Sequence, residues 1–151
     1  MPTFNSLGGV LDPRRPTKFE NDVSSTTSLK VIGSTARGQG VGYGTGAGGA
    51  VTQATNKSTG VTLNTLSGAI TMNNASLANA TAVGFTVTNN LVAATDVISI
   101  SIKSGATANS YLVNVDAVAD GSFHVLLYNL TGGSLGEAVV LNFAVVKAVA
   151  S

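Results

Sequence analysis

The sequence predicts an all-β fold, an antiparallel β-sandwich or jelly roll preceded by an extended N-terminal arm and a Gly-rich linker. Two patterns beyond residue 50 carry this expectation. Apolar and polar residues alternate with the period of a half-buried strand: Val83, Phe85 and Val87 against Gly84, Thr86 and Thr88, then Ile98, Ile100 and Ile102 against Ser99, Ser101 and Lys103. Turn-forming clusters divide the chain at about the 8–12-residue spacing of sandwiches and barrels. A third observation is negative: no strand-helix-strand alternation is visible, so a parallel α/β fold is not expected.

In chain order, residues 1–37 read as an arm without a core of its own. They hold five of the eight basic residues, three of the seven acids and all three prolines. The run Asp12-Pro13-Arg14-Arg15-Pro16 imposes turn or extended backbone before each proline. Isolated apolar anchors would be wasted on a free tail, so the arm is expected to order on another surface. Phe4, Leu7, Leu11, Arg14, Arg15 and Phe19 are the residues expected to make that contact. Fifty extended residues reach up to roughly 165 Å at about 3.3 Å each, well past an immediate neighbour.

Residues 38–49 carry glycine at nearly every second position and read as a hinge, because ordering glycine costs the most backbone entropy. The domain proper is expected over 50–151, with strands at 60–64, 68–73, 83–88, 98–103, 111–118, 122–130 and 139–147, and with 51–55 also favouring strand. Residues 75–82 are left open between one helical turn and a loop. The predicted turns are Asn73-Asn74, Asn89-Asn90, Ser104-Gly105, Asp120-Gly121 and Thr131-Gly132-Gly133.

Two of these strands are apolar on both faces. Along 122–130, Phe123, Val125 and Leu127 point one way while Leu126, Tyr128 and Leu130 point the other; along 139–147, Val139, Leu141, Phe143 and Val145 oppose Val140, Ala144 and Val146. In a lone sandwich one face of each strand meets water and reads polar. A second apolar face implies a partner, and the simplest partner is an identical chain. Leu126, Tyr128, Leu130, Val140 and Val146 are therefore the expected subunit-interface residues.

Composition narrows function by exclusion. Only 10% of the residues are charged, against about a quarter in an average soluble domain. With no cysteine and a single histidine there is no disulfide framework, thiolate nucleophile or zinc-finger site, and little for His-dependent catalysis. Neither enzymatic activity nor a cofactor nor a metal is expected. A net charge of +1 supplies no bulk electrostatic reason for nucleic acid. No apolar run approaches the ~18 residues of a membrane span, and Met1-Pro2-Thr3-Phe4-Asn5-Ser6 lacks the pattern of a secretory leader.

The individual motifs reduce to structural readings. Gly44-Thr45-Gly46 with Gly49 fits G-x-G-x-x-G in spacing, yet the residues that follow favour a strand where a dinucleotide site needs a helix N-terminus. Asn56-Lys57-Ser58-Thr59 is similar to the end of a phosphate-binding loop, but its opening glycine position is Val51 and a turn accounts for it better. His124, with no cysteine or second histidine at ligand spacing, reads as a hydrogen-bonded surface or interface residue. Asp96, Asp116 and Asp120 lie at or near strand ends, and a hydrolytic carboxylate pair would need about 5–9 Å separation across a cleft. The four Asn-x-Ser/Thr sequons at Asn56, Asn74, Asn79 and Asn129 are expected by chance in so Asn/Ser/Thr-rich a chain.

Gly44-Thr45-Gly46-Ala47-Gly48-Gly49-Ala50-Val51-Thr52-Gln53, Lys57-Ser58-Thr59-Gly60-Val61-Thr62-Leu63-Asn64, Gly68-Ala69-Ile70-Thr71-Met72-Asn73, 102–111 and Thr131-Gly132-Gly133-Ser134-Leu135 together carry a resemblance. From Gly44 to the C-terminus, about two thirds of its length, the chain resembles a β domain of tailed-bacteriophage structural proteins. That resemblance implies a trimeric jelly-roll-like domain of the kind found in head decoration, head fibre and tail-associated fibre proteins. It further implies a homotrimer on the capsid exterior of the virion, partnered by the major capsid protein and synthesised in the host bacterial cytoplasm. The arm lies outside the resemblance. Absence of coiled-coil heptads and long repeats favours a capsid decoration or cement protein over a fibre shaft. The alternative is a tail-fibre or head-fibre domain that binds a host receptor or surface carbohydrate, for which 5% aromatic residues and no tryptophan are sparse equipment. A small cell-wall hydrolase working through its aspartates stands third.

Overall fold

A computed structural model describes residues 42–43 and 46–149. The arm over 1–37, including Phe4, Leu7, Leu11, Arg14, Arg15 and Phe19, lies outside the described residues, as does part of the linker. Eight strands follow: β1 Gly48–Thr52, β2 Val61–Thr62, β3 Ser67–Thr71, β4 Ala82–Thr88, β5 Val97–Ser104, β6 Tyr111–Ala119, β7 Ser122–Asn129 and β8 Val140–Val146. None of the described residues is helical, and no helix among them could cross a membrane. The strands form two four-stranded sheets, in the orders β1-β3-β8-β5 and β2-β4-β7-β6. The fold is all-β, as the alternation predicts.

One expectation is corrected. The sheets are mixed: β1 pairs with β3, and β2 with β4, in parallel, while every other pair is antiparallel. From β1 to β6 the chain changes sheet at each connection and reverses direction each time. Two strands separated by two crossings therefore return to the same sheet pointing the same way, which makes them parallel when adjacent. Of residues 75–82, left open between a helical turn and a loop, 75–81 form a loop, pinned where Leu77 bridges Leu135, and Ala82 begins β4. β2 is shorter than the predicted 60–64, and β1 begins at Gly48, inside the run read as linker, because Ser67 and Gly68 of β3 give its glycines backbone partners.

The core lies between the sheets. Ile70, Leu141, Phe143 and Val145 from the first sheet meet Phe85, Val87, Phe123, Val125 and Leu127 from the second. Phe123 and Phe143 pack with ring centroids 5.3 Å apart and a 56° tilt, a favourable edge-biased geometry. β7 and β8 are each flanked on both sides within their sheets. The β6–β7 hairpin turns at Asp120-Gly121, and Gly121 adopts φ +77°, a left-handed conformation that glycine takes without a Cβ penalty.

Two buried asparagines tie the loops to this core. Asn129 donates through Nδ2 to the carbonyls of Leu77 (3.2 Å), Ala78 (3.0 Å) and Gly133 (2.8 Å), and accepts at Oδ1 from the N–H and hydroxyl of Thr131. Asn89 donates to the Thr65 carbonyl at 2.7 Å and accepts from Leu91 N–H. Irregular backbone near a core cannot be left unpaired, and these amides supply the partners.

Candidate functional site

The outer face of the β2-β4-β7-β6 sheet presents the exposed apolar surface expected of a binding site. Strand register sets its rows: Ala82, Tyr128 and Leu112 lie side by side, then Gly84, Leu126 and Asn114, then Thr86, His124 and Ala117. Leu130 extends the column beyond β7, its N–H donating to the Ser110 carbonyl. Leu112 is 59% exposed and Leu130 53%, with Leu126 and Tyr128 half-buried between them. Ala82 and Gly84 lack bulk, so these side chains stand proud of β4. Tyr128 is braced by its hydroxyl, which donates to the Ala80 carbonyl at 2.9 Å.

The same face carries an ordered His–Asp pair. His124 Nδ1 lies 2.6 Å from Asp116 Oδ1, with both side chains more than a third exposed. A register shift between Val115 and Ala117 adds a residue to β6, and such a bulge re-aims the side chains beside it. The imidazole lies over Gly84, where a Cβ would come within 2.4 Å of His124 Cε1. Any larger residue there would have to displace the ring. Placing Asp116 on His124 was beyond sequence reasoning, since counting back from the Asp120-Gly121 turn pairs His124 with Ala117 and reveals no bulge.

The predicted interface residues divide between two faces. Leu126, Tyr128 and Leu130 share the surface just described, joined by Leu112, which sequence reasoning missed because its strand reads as singly amphipathic. Val140 and Val146 lie on the outer face of the other sheet, where Val146 pairs with the 58%-exposed Val97. That second outer face also bears an open groove of about 410 Å³, lined by small residues from Gly48 and Ser67 to Ser99 and Ala144, with Lys103 at its rim.

The other aspartates of the described residues are held by hydrogen bonds. Asp96, its side chain fully buried, accepts from Ala93 N–H at 2.8 Å and from Lys147 Nζ at 2.5 Å. The Ala93 hydrogen bond first, then Lys147, holds its carboxyl below the ordinary range. Asp120 accepts from Ala94 N–H at 2.8 Å. Each of the three aspartates thus has its own partner. Among the described residues no cluster of three or more His, Asp or Glu could hold a metal. Gly48 and Gly49 enter β1 directly, so no helix N-terminus follows the G-x-G-x-x-G spacing. Asn129, read as a chance sequon, is wholly buried by its hydrogen bonds.

At one end of the sandwich lies a polar cluster centred on buried Lys57. Its Nζ donates to the carbonyls of Asn73 and Glu137, each at 2.5 Å, joining three loops. Desolvation lowers its pKa, partly opposed by the Glu137 charge. The Glu137 carboxyl is held low, chiefly by the Thr107 hydroxyl. Beside it the Tyr111 hydroxyl is buried without good hydrogen-bond geometry; burial first, then Glu137, pushes it up to about 12.

This gives a pH prediction with a definite sign. An unfolded phenol ionises near 10, so between about 10 and 12 the unfolded chain loses a proton that the folded domain keeps. The Tyr111 contribution is fully present below pH 10 and is lost as pH rises through the folded pKa, by roughly 2–3 kcal/mol in total. Lys57, with its folded pKa lowered, acts in the opposite direction, so the test is a difference. Urea unfolding of wild type and Tyr111→Phe is expected to show similar stability at pH 7 and a wild-type deficit that grows from pH 10 to 12. Parallel pH profiles would contradict it.

Comparison of the chain with protein-family models, with curated proteins and with solved structures returned no match.

Proposed function

We propose that this chain is a structural subunit that works by binding: a capsid decoration or cement protein of a tailed bacteriophage. It assembles as a homotrimer on the head exterior and uses its 1–37 arm to clamp neighbouring major capsid protein subunits. The observation that carries this reading is the outward apolar face of Leu112, Leu126, Tyr128 and Leu130 on a domain with few charges. Contiguous exposed apolar side chains mark an interaction surface. The alternation of β1 to β6 between two sheets is the feature that a jelly roll shares with this sandwich. The quoted sequence resemblance points the same way. Tethering through three arms multiplies modest contacts by effective concentration, so no single arm need bind tightly.

A receptor- or glycan-binding fibre domain has less in its favour. Of the aromatic residues among those described, Phe85, Tyr111, Phe123 and Phe143 are buried, leaving Tyr43 and Tyr128 to offer a ring to a sugar.

Light scattering coupled to size exclusion is expected to give about 45 kDa, three chains of 15.0 kDa. The full-length protein should then co-sediment with expanded phage heads, and a chain lacking residues 2–37 should remain trimeric but no longer attach. A monomeric mass removes the trimer, and full decoration by the truncated chain removes the role of the arm.

A further inference from the structure

Three copies close into a ring when the surface each turns to one neighbour differs from the surface it turns to the other. Both surfaces can lie on a single face, provided that face points at the axis and its two halves are unlike. The outer face of the β2-β4-β7-β6 sheet is divided in that way. β2 pairs only with Val87 and Thr88 at the far end of β4, so along the rows of Ala82 and Gly84 the sheet is three strands wide with β7 in the middle. On the β6 side Leu112 stands out into solvent. On the β4 side the small residues leave room for the rings of β7 to lean across: Tyr128 reaches the Ala80 carbonyl with its hydroxyl, and His124 lies over Gly84. One half is a projecting leucine and the other a low floor.

Charge favours the same face. Asp116 is the one Asp, Glu, Lys or Arg on the four strands of this sheet, and it is bonded to His124 within its own copy. Three such faces can meet without bringing uncompensated like charges together. The other outer face carries Lys103, which has no acidic partner among the described residues. Turning that face inward would gather three like charges on an otherwise uncharged surface.

We propose that, in the homotrimer, the β2-β4-β7-β6 sheets of the three copies turn their outer faces inward around the threefold axis, with β7 running along it and Leu112 of each copy packed on Ala82 and Tyr128 of the next. This rests on the trimer reading above and names the surface that makes it. Rotation about an axis along β7 keeps every residue at its own height. Leu112, Tyr128 and Ala82 share one row, so the leucine of one copy arrives at the floor of its neighbour. Each copy gives its β6 half to one neighbour and its β4 half to the other, and three joints complete the ring.

The chain has no cysteine, which permits a clean cross-linking test. Leu112 and Ala82 flank Tyr128 on opposite sides, about 10 Å apart at two strand spacings, and a disulfide bridges Cα atoms no more than about 7 Å apart. The double variant Leu112→Cys/Ala82→Cys can therefore link only between copies. On oxidation it is expected to run as a covalent trimer under denaturing conditions, while each single variant runs as one chain. Independently, Ala82→Lys, at an exposed position that the folded monomer tolerates, should shift the light-scattering mass from about 45 kDa towards the 15.0 kDa chain. Ser99→Lys, on the other outer face, should leave the trimer intact. The covalent trimer, or dissociation by Ala82→Lys alone, supports the proposal. Covalent dimers overturn it in favour of faces that pair two by two. A wild-type trimer that neither cross-links nor responds to Ala82→Lys, or that Ser99→Lys alone disrupts, overturns the choice of face while leaving the trimer standing, and a wild-type monomer overturns both.

Discussion

Truncating Phe123 to alanine is expected to destabilise the domain by about 3–5 kcal/mol, a large part of the roughly 5–15 kcal/mol that holds a small domain folded. Phe123 is 1% exposed and sits on β7 between Val87 and Val118 in register. Its ring meets Phe143 of the opposite sheet at 5.3 Å, so its loss opens a void where the two sheets touch. Both flanking strands belong to the core layer, and close-packed interiors relax only partly around such a void. Urea denaturation followed by circular dichroism would measure it, with Phe123→Leu as a control expected to lose much less. A deficit under 1 kcal/mol for the alanine variant would show that Phe123 is not a keystone of the core.

Asn129→Ala is expected to cost a similar amount, about 3–5 kcal/mol, for a different reason. The substitution removes almost no apolar contact but strips partners from the carbonyls of Leu77, Ala78 and Gly133 and from the N–H of Thr131. Each buried polar group left unsatisfied costs about 1–3 kcal/mol, reduced where water can enter. The damage should be local in its first appearance. Amide exchange at Leu77 and Leu135, which bond to each other at 2.8 and 3.0 Å, should accelerate more than exchange at Val125 or Leu127. Asn129→Asp should rescue little, because a carboxylate cannot donate to three carbonyls. Uniform acceleration across all strands would mean that Asn129 acts through global stability alone. Tyr128 and Leu130 adjoin this residue, so looser loops there should also weaken self-association.

Much of the fold is legible because strand formation is a local property. The apolar residues of β4 and β5 alternate with period two, and the turn chemistry at Asp120-Gly121 and after Ser104 at Gly105 falls at strand ends as predicted. Strand β1 was obscured by its glycines, which carry no apolar signal and are drawn into a strand by pairing with β3. Three of the four residues of the apolar face were legible as well. The double-sided apolar pattern of β7 identifies Leu126, Tyr128 and Leu130, while Leu112 becomes part of the same surface only because the hairpin register sets it beside Tyr128.

What the sequence determined alone is therefore the class of the domain and the positions of most strands and turns. These follow from residue type and spacing over a few positions. The tertiary structure decided which strands are neighbours, that alternate crossings make β1/β3 and β2/β4 parallel, and that a bulge brings Asp116 to His124. It also decided that Val140 and Val146 face away from Leu126, Tyr128 and Leu130, giving one chain two unlike outer faces. Those outcomes depend on the parity of crossings and on a one-residue register shift, and neither leaves a mark on the local pattern of apolar and polar residues.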